Sequence, residues 1–170
     1  NAKLLSKDIA TEFAGRGDEV HMYPLSFAEF MTIYSGDKYM GLSEYMLYGG
    51  IPLVVLREGA NDKAVSLQNL FNEIYLRDIT KRNRVRNIGE LEDLLNILSS
   101  AIGSLTNPEK LKNTFRTVKK SRITSATIKK YLDYFEDSFL IESAQRYDIK
   151  GKEILQTNEK YFVSDLSLIY

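Results

Sequence analysis

The sequence reads TSATIKKYLDYFEDSF at residues 124–139, LIESAQRYD at 140–148, IKGK at 149–152 and KYFVSD at 160–165. In the first piece, apolar side chains recur every three or four residues, at Ile128, Leu132, Phe135 and Phe139, which predicts an amphipathic helix. The next pieces are short and strand-like, and a tight basic turn joins them. This stretch therefore predicts a helix followed by a two-stranded hairpin.

Two more helices are predicted just upstream. The first has one apolar stripe that ends at Gly103 and consists of Leu91, Leu94, Leu95, Leu98 and Ile102. The second begins at Asn107-Pro108-Glu109, where a capping Asn precedes a Pro at the first helical position, and its expected inward residues are Leu111, Phe115 and Val118. Ser125 is expected to cap the third helix. Three helices and a hairpin predict a winged-helix domain over residues 87–165, a fold that reads nucleic acid or docks on protein.

The preceding residues predict a second, helical domain over 26–86. Ser26-Phe27-Ala28-Glu29 has the form of a capping box, and a short helix at 42–48 is closed by Gly49-Gly50. Residues 58–63 are expected to form a polar loop, and 66–82 a longer amphipathic helix. Residues 1–25 are expected to hold a short helix and a brief strand at Val20–Tyr23. The predicted fold class is α+β, mostly α.

The composition limits the function classes. With 170 residues and 44% hydrophobic content, the chain can form one or two small globular domains. Twenty-three basic residues balance twenty-three acidic ones, so any attraction to nucleic acid must be local. The absence of Cys excludes disulfides and thiol catalysis, and no apolar run approaches the length of a membrane span. We expect a cytoplasmic protein without a membrane partner. The ends are expected to be cuts within a longer protein, so that residues 166–170 begin a truncated following domain.

A basic run free of acids lies between Lys110 and Lys130. It is the expected nucleic-acid-binding surface, because the third helix and the turn of a winged helix contact DNA bases and phosphates. The residues predicted to contact duplex DNA are Lys119, Lys120, Arg122, Thr127, Lys130, Lys150 and Lys152. The alternative is a solvated basic face, or a surface that docks on another domain of the same protein.

Other patterns are weaker. Asp148-Ile149-Lys150 has the acid-x-Lys form of metal-dependent nucleases, but such a site needs a second acid on a neighbouring strand, for which Glu142 and Asp165 are the candidates. No metal site is therefore expected. His21, the only histidine, has no companion nucleophile or ligand. No G-x-x-x-x-G-K-[ST] loop is present, so the chain alone is not expected to cradle a nucleotide.

Three stretches together resemble one family. They are NAKLLSKDIATEFAGRGDEVHMYPLSFAEFM at 1–31, YGGIP at 48–52 with LFNEIYLRDITKRNRVRN at 70–87, and SATIKKYLDYFEDSFLIESAQRYDIKGK at 125–152 with KYFVSDLSL at 160–168. In order and coverage they resemble the prokaryotic AAA+-type P-loop ATPases that end in a nuclease-like domain of unknown function. The resemblance implies that this chain comprises the end of the ATPase core (1–25), a helical lid (26–86) and the winged helix (87–165).

The resemblance also implies partners and roles. The missing N-terminal ATPase core and C-terminal nuclease-like domain would be partners, and ATP and Mg would bind only in the full-length parent. Asn1 matches the polar residue that senses the γ-phosphate, and Arg16 the arginine finger that acts on the transferring phosphoryl group, usually from a neighbouring subunit of an oligomer. Arg16 as an ordinary surface residue is the alternative. The other hypotheses are that the chain is a stand-alone, DNA-binding winged-helix regulator or that it is a protein-interaction scaffold.

Overall fold

The computed structural model of the protein describes residues 20–145 and 158–169. Within these ranges helices predominate and one small antiparallel sheet accompanies them, which confirms the α+β, mostly α class. The chain divides into two compact units. Unit 1 runs up to Ile79 and also takes in the residues from Ser164 onward, and unit 2 is Thr80–Val163. Asn1, Arg16, Lys150 and Lys152 lie outside the described residues, so their predicted roles stay predictions.

Unit 1 is helical in its described part. Its elements, in chain order, are α1 (Phe27–Ile33), α2 (Lys38–Tyr48), α3 (Pro52–Val55), α4 (Ala60–Asn69), a first π-helix (Leu70–Leu76), the start of α5 (Arg77–Asn83) and a 3₁₀-helix (Leu166–Ile169). The division between the units falls within α5. The helix expected at 66–82 is present. It begins earlier than predicted, at Ala60, and it contains a π-helical segment.

Local capping explains where the first helices begin. The Ser26 hydroxyl accepts a hydrogen bond from the Glu29 amide at 3.3 Å, and the Ser26 amide donates to Glu29 Oε2 at 2.8 Å, so the predicted capping box is present. These bonds lower the pKa of Glu29, with the backbone bond from Ser26 as the largest cause. Asp37 Oδ1 caps α2 by accepting from the amides of Tyr39 and Met40.

The end of α2 is fixed by two glycines and an aspartate. Gly49 has φ +71° and ψ −164°, a conformation that only glycine adopts readily. The Gly50 amide donates to Asp165 Oδ2 at 2.8 Å, and the Ser167 amide donates to Asp165 Oδ1 at 2.9 Å. Through these two hydrogen bonds the Asp165 carboxylate links the chain beyond residue 164 to the end of α2. Asp165 is only 6% exposed, so both bonds are shielded from water. We call these three residues with Gly49 the Asp165 latch.

Two predictions for this part of the chain were wrong. Residues 20–23 form no strand, since they pair with none of the strands in the described ranges, and Val20 and Met22 are exposed. Residues 60–63 are helical rather than a polar loop, because Gly59, at φ +83°, ends the preceding turn and lets α4 begin at Ala60.

Unit 2 has the element order of a winged helix. After α5 it contains α6 (Ile88–Ser100), β1 (Leu105–Thr106), α7 (Pro108–Thr114), a second π-helix (Phe115–Lys119), α8 (Ser125–Asp137), β2 (Ile141–Ala144) and β3 (Glu159–Val163). Its core is formed where the apolar stripes of the helices meet the sheet, and it includes Leu91, Leu94, Leu95, Leu98, Leu111, Phe115, Ile128, Leu132, Phe135, Ile141 and Tyr161. The stripes predicted for α6 and α8 are therefore the buried faces, except that Ile102 and Phe139 are not fully buried.

The sheet has the strand order β1-β3-β2, antiparallel throughout. Ile141 lies opposite Val163, and Leu105 lies opposite Lys160. Burial, followed by the hydrogen bond that Tyr161 donates to Glu159 at 2.6 Å, raises the pKa of Tyr161. The turn expected at 149–152 lies outside the described residues.

Two details of the helices differ from the sequence prediction. Thr124, not Ser125, caps α8, because its Oγ1 accepts from the Thr127 amide at 3.1 Å while Ser125 is the first helical residue. Val118 does not face inward and is 68% exposed. The π-helix explains this, since its i→i+5 hydrogen bonds widen the turn after Phe115 and rotate the residues that follow away from the core.

Candidate nucleic-acid interface

An open cleft of about 450 Å³ lies on unit 2 beside the beginning of α8. Its walls come from α7, the second π-helix, the connecting loop and the first turn of α8. The lining residues are Lys112, Arg116, Ser121, Arg122, Ile123, Thr124 and Ser125. We call it the basic cleft, because every charged group in its lining is a cation.

The loop between the second π-helix and α8 holds one wall of the basic cleft in place. Lys120 ends the π-helix in the left-handed region at φ +51°, and the Ser121 amide donates to the Phe115 carbonyl at 3.2 Å. The Ser121 hydroxyl donates to Glu90 of α6 and accepts from the Ile123 amide at 3.0 Å. Because Ser121 is bonded on both sides, the loop that carries Arg122 has a defined path along the cleft.

The other wall is the first turn of α8. A helix begins with backbone N–H groups that have no partner within the helix, and here Thr124 satisfies only that of Thr127. The hydroxyls of Thr124 and Thr127 are also 2.9 Å apart and share a hydrogen bond. The first-turn amides of Ser125 and Ala126 and the positive end of the helix dipole therefore favour an anion on this side of the basic cleft.

The charges of the basic cleft are only partly balanced. Lys112 forms an ion pair with Glu109, one helical turn away. The hydrogen bond from Lys112, followed by one from Ser125, lowers the pKa of Glu109. Across the described ranges, no ion pair or hydrogen bond involves the side chain of Arg116 or that of Arg122. The cleft therefore carries at least two uncompensated guanidinium groups, the side chain best suited to phosphate.

The described members of the predicted DNA-binding set lie on or around this surface. Arg122 lines the basic cleft, and Lys120 is exposed beside it in the chain. Lys119 makes an ion pair with Asp93 of α6 at 2.6 Å, so its charge is partly compensated. The Thr127 hydroxyl is occupied in the cap of α8. The structure thus brings Arg122 into a formed site and leaves Lys119 and Thr127 with protein partners.

Farther along α8, Lys130 lies on the exposed face. Its Nζ is 5.8 Å from the centre of the Tyr134 ring, four residues farther along the helix. A ring beneath a cation positions the ammonium group without neutralising it. Lys130 is therefore an exposed cation on α8, farther along the helix than the residues that line the basic cleft.

Two cations of the basic cleft were not among the predicted site residues. Lys112 and Arg116 are four residues apart, so they share a face of the helical segment formed by α7 and the second π-helix. The i, i+4 spacing of these two cations, on a helix whose start is clear from Asn107-Pro108, is the sequence feature that could have identified them as site residues. What the sequence does not show is that the loop brings Arg122 to the same place.

A second cleft, of about 440 Å³, lies on unit 1. Its lining is Tyr48, Ala64, Leu67, Gln68, Phe71, Asn72 and Ser167. This lining holds no Lys, Arg, Asp, Glu or His side chain, so it lacks the cations that give the basic cleft its positive charge. No group of three or more His, Cys, Asp or Glu side chains suited to a metal occurs among residues 20–145 and 158–169. Asp148, the acid of the acid-x-Lys pattern, lies outside these ranges.

Comparison with known proteins places the chain in a family. It belongs to the family described as Domain of unknown function (DUF8612), which matches residues 40–170. It is 40% identical to an uncharacterized protein of Haemophilus influenzae over 99% of this chain and 43% of that protein. It is 31% identical to an uncharacterized protein of Methanocaldococcus jannaschii over 97% of this chain and 40% of that protein. The chain thus spans less than half the length of these relatives.

No solved structure matches the chain significantly. In the parts of the chain that the structure covers, no helix is both long enough and apolar enough to cross a membrane.

Proposed function

We propose that unit 2 docks on duplex nucleic acid, with the basic cleft receiving a backbone phosphate. The observation that carries this proposal is the convergence of Lys112, Arg116 and Arg122 with the first turn of α8 around one open cleft. Cations and helix-start amides are the groups that contact phosphates in protein–DNA complexes. They fix position without reading sequence, so we expect little sequence preference.

The winged-helix element order supports the same proposal. In such domains the third helix lies against the groove, and here that helix is α8, whose exposed side carries Lys129 and Lys130. A phosphate in the basic cleft would lie at the start of α8, while Lys130 would meet the duplex one or two turns later. The local positive surface compensates for the zero net charge of the chain, which gives no long-range attraction.

The proposal is tested by fluorescence anisotropy with a short labelled duplex at several salt concentrations. The Arg116→Ala/Arg122→Ala variant removes the two uncompensated guanidinium groups. The Lys38→Ala/Arg57→Ala variant removes the same charge from exposed sites of unit 1 and serves as the control. If the cleft binds phosphate, each lost contact flattens the dependence of log K on log salt by about 0.9, and only the first variant shows the change.

Two outcomes would contradict the proposal. The first is the absence of binding by the wild-type chain even at low salt. The second is equal weakening in both double variants, since net charge rather than the basic cleft would then govern binding. Either result favours the alternative function, in which this surface docks on another domain of the same protein.

For the whole polypeptide, we propose a P-loop ATPase of the AAA+ type in which this chain supplies the lid and the winged helix. Support comes from the resemblance of the sequence and from the length of the relatives, of which this chain covers 43% and 40%. ATP and Mg would bind to the core that precedes the lid, and the chain alone would bind neither tightly. A parent gene without a phosphate-loop motif upstream of residue 1 would exclude this assignment, and calorimetry that shows micromolar, magnesium-dependent ATP binding by the chain would do the same.

A further inference from the structure

The helix α2 exposes an unusual number of large apolar side chains. Its exposed side carries, over eleven residues, Tyr39, Met40, Leu42, Met46 and Leu47. Tyr39 is 84% exposed, and Met40 and Met46 are each 63% exposed. We call these five residues the α2 face. A single exposed apolar residue needs no explanation, whereas a contiguous apolar surface marks an interaction site.

The α2 face is exposed although the helix itself is well anchored in unit 1. The other side of α2 is packed within unit 1, where Gly41 is buried and Tyr45 donates a hydrogen bond to the Leu25 carbonyl at 2.7 Å. Asp37 caps the helix at its start, and Gly49 ends it with the Asp165 latch. The helix is therefore held firmly, and its apolar outer side is available as a preformed surface.

The chemistry of the α2 face limits what can cover it. None of its five residues is charged, and the sixth residue of the same side, Ser43, bonds to the Tyr39 carbonyl within the helix. A phosphate-bearing partner would find no cation there. Two methionines and two leucines give a surface that adapts to the shape of an apolar partner. The complementary surface must itself be apolar and nearly uncharged.

We propose that the α2 face is covered by the remainder of the same polypeptide, the part of the full-length parent that lies outside these 170 residues. The relatives align with nearly the whole of this chain, yet more than half of each relative lies outside the aligned region. A contiguous apolar surface marks an interaction site, and the domains of one polypeptide contact one another through interfaces of about 600–1,500 Å². This inference rests on the proposal that the chain is part of a longer protein, and it does not require ATPase activity.

The test compares methionine oxidation by dilute hydrogen peroxide in the 170-residue chain and in the full-length parent, followed by peptide mass spectrometry. Met40 and Met46 are reactive when exposed to solvent, and Met31, which is half-buried, serves as the internal reference. Covering the α2 face should slow oxidation of Met40 and Met46 in the parent by roughly tenfold or more relative to Met31, as expected for exposed side chains that become buried.

A pair of matched variants gives a second readout. Tyr39→Ser/Met46→Ser should lower the melting temperature of the full-length parent but leave that of the 170-residue chain unchanged, because both residues are exposed in the chain. Leu105→Ser/Val118→Ser replaces two exposed apolar residues of unit 2 and should leave the parent as stable as the wild type. Loss of stability with the first pair alone assigns the buried contact to the α2 face.

Several results would overturn the inference. Equal oxidation rates of Met40 and Met46 in chain and parent would show that nothing in the parent covers the α2 face. Protection that grows with concentration in the 170-residue chain would assign the face to a second copy. Protection of the parent that requires phospholipid vesicles would assign it to a membrane surface. Anisotropy measurements on the basic cleft are unaffected by any of these outcomes, so the two proposals fail separately.

Discussion

Replacing Asp165 by Asn should destabilise unit 1 although the side chain keeps its size. Both carboxylate oxygens accept from backbone amides, Oδ2 from Gly50 at 2.8 Å and Oδ1 from Ser167 at 2.9 Å. An Asn side chain has one acceptor oxygen and one NH₂ group, so in either orientation its NH₂ faces one of these amide donors. The Asp165 latch therefore cannot be satisfied by Asn.

The expected loss can be worked out from these bonds. A hydrogen bond to a charged group contributes about 1.5–3 kcal/mol, and a buried donor left without an acceptor costs about 1–3 kcal/mol. Asp165 is 6% exposed, so water cannot easily replace the missing acceptor. Adjustment of the surrounding chain recovers part of this cost, and we expect a net loss of about 2–4 kcal/mol in the free energy of unfolding of unit 1.

Urea unfolding followed by circular dichroism measures this loss, with Asp62→Asn as the control. Asp62 lies in the first turn of α4 and is exposed, so its replacement should change stability by no more than about 0.5 kcal/mol. A two-unit chain can unfold in two steps, and the step that responds to Asp165→Asn identifies unit 1. A loss as small as that of the control would show that Asp165 is not held as a buried carboxylate that accepts two backbone hydrogen bonds.

Gly49 and Thr124 allow the local geometry to be tested by single substitutions, and Arg16 allows the same for the family resemblance. Gly49→Ala should cost about 3 kcal/mol or more in unfolding free energy, because a Cβ there would lie 1.7 Å from Asp165 Oδ1 and the backbone is in a glycine-only region; melting close to that of the wild type would contradict this. Thr124→Ala removes the cap of α8 and should cost about 1 kcal/mol, with Thr124→Ser restoring most of it; equal stability of the Ala and Ser variants would show that the cap is unimportant. In the full-length parent, Arg16→Ala should reduce ATP turnover by ~10³ or more while nucleotide affinity stays nearly constant; unchanged turnover would return Arg16 to the surface-residue alternative.

Much of unit 2 was predictable because its signals are local. The capping Asn107 with Pro108, the apolar stripes of α6 and α8 and the strands β2 and β3 each depend on residues close in sequence, and the structure forms them, with Ile102 and Phe139 at the less buried ends of the stripes. The short strand β1 was not predicted. The exposed Val118 was not predictable in this way. A π-helix is rare, and it shifts the phase of the residues that follow without a distinct sequence signal.

At the candidate site, the sequence alone does not show which basic residues are free to bind a ligand. The basic run was visible, but its members looked equivalent. The structure separates them, since Lys119 is paired with Asp93, whereas Arg116 and Arg122 line one cleft. These pairings depend on which helix lies beside the run, which is tertiary information. The Asp165 latch was hidden for the same reason, because Gly50 and Asp165 are 115 residues apart in sequence.

NMR mapping of the backbone amides, during titration with a short duplex at low salt, shows whether the basic cleft of unit 2 receives a nucleic-acid phosphate. We expect the largest shifts at Arg122, Ser125 and Ala126 and smaller shifts along the exposed side of α8 near Lys130, and added salt should reverse them. The largest shifts in unit 1, or shifts on unit 2 that leave the loop and first turn of α8 unchanged, would contradict phosphate binding in the basic cleft.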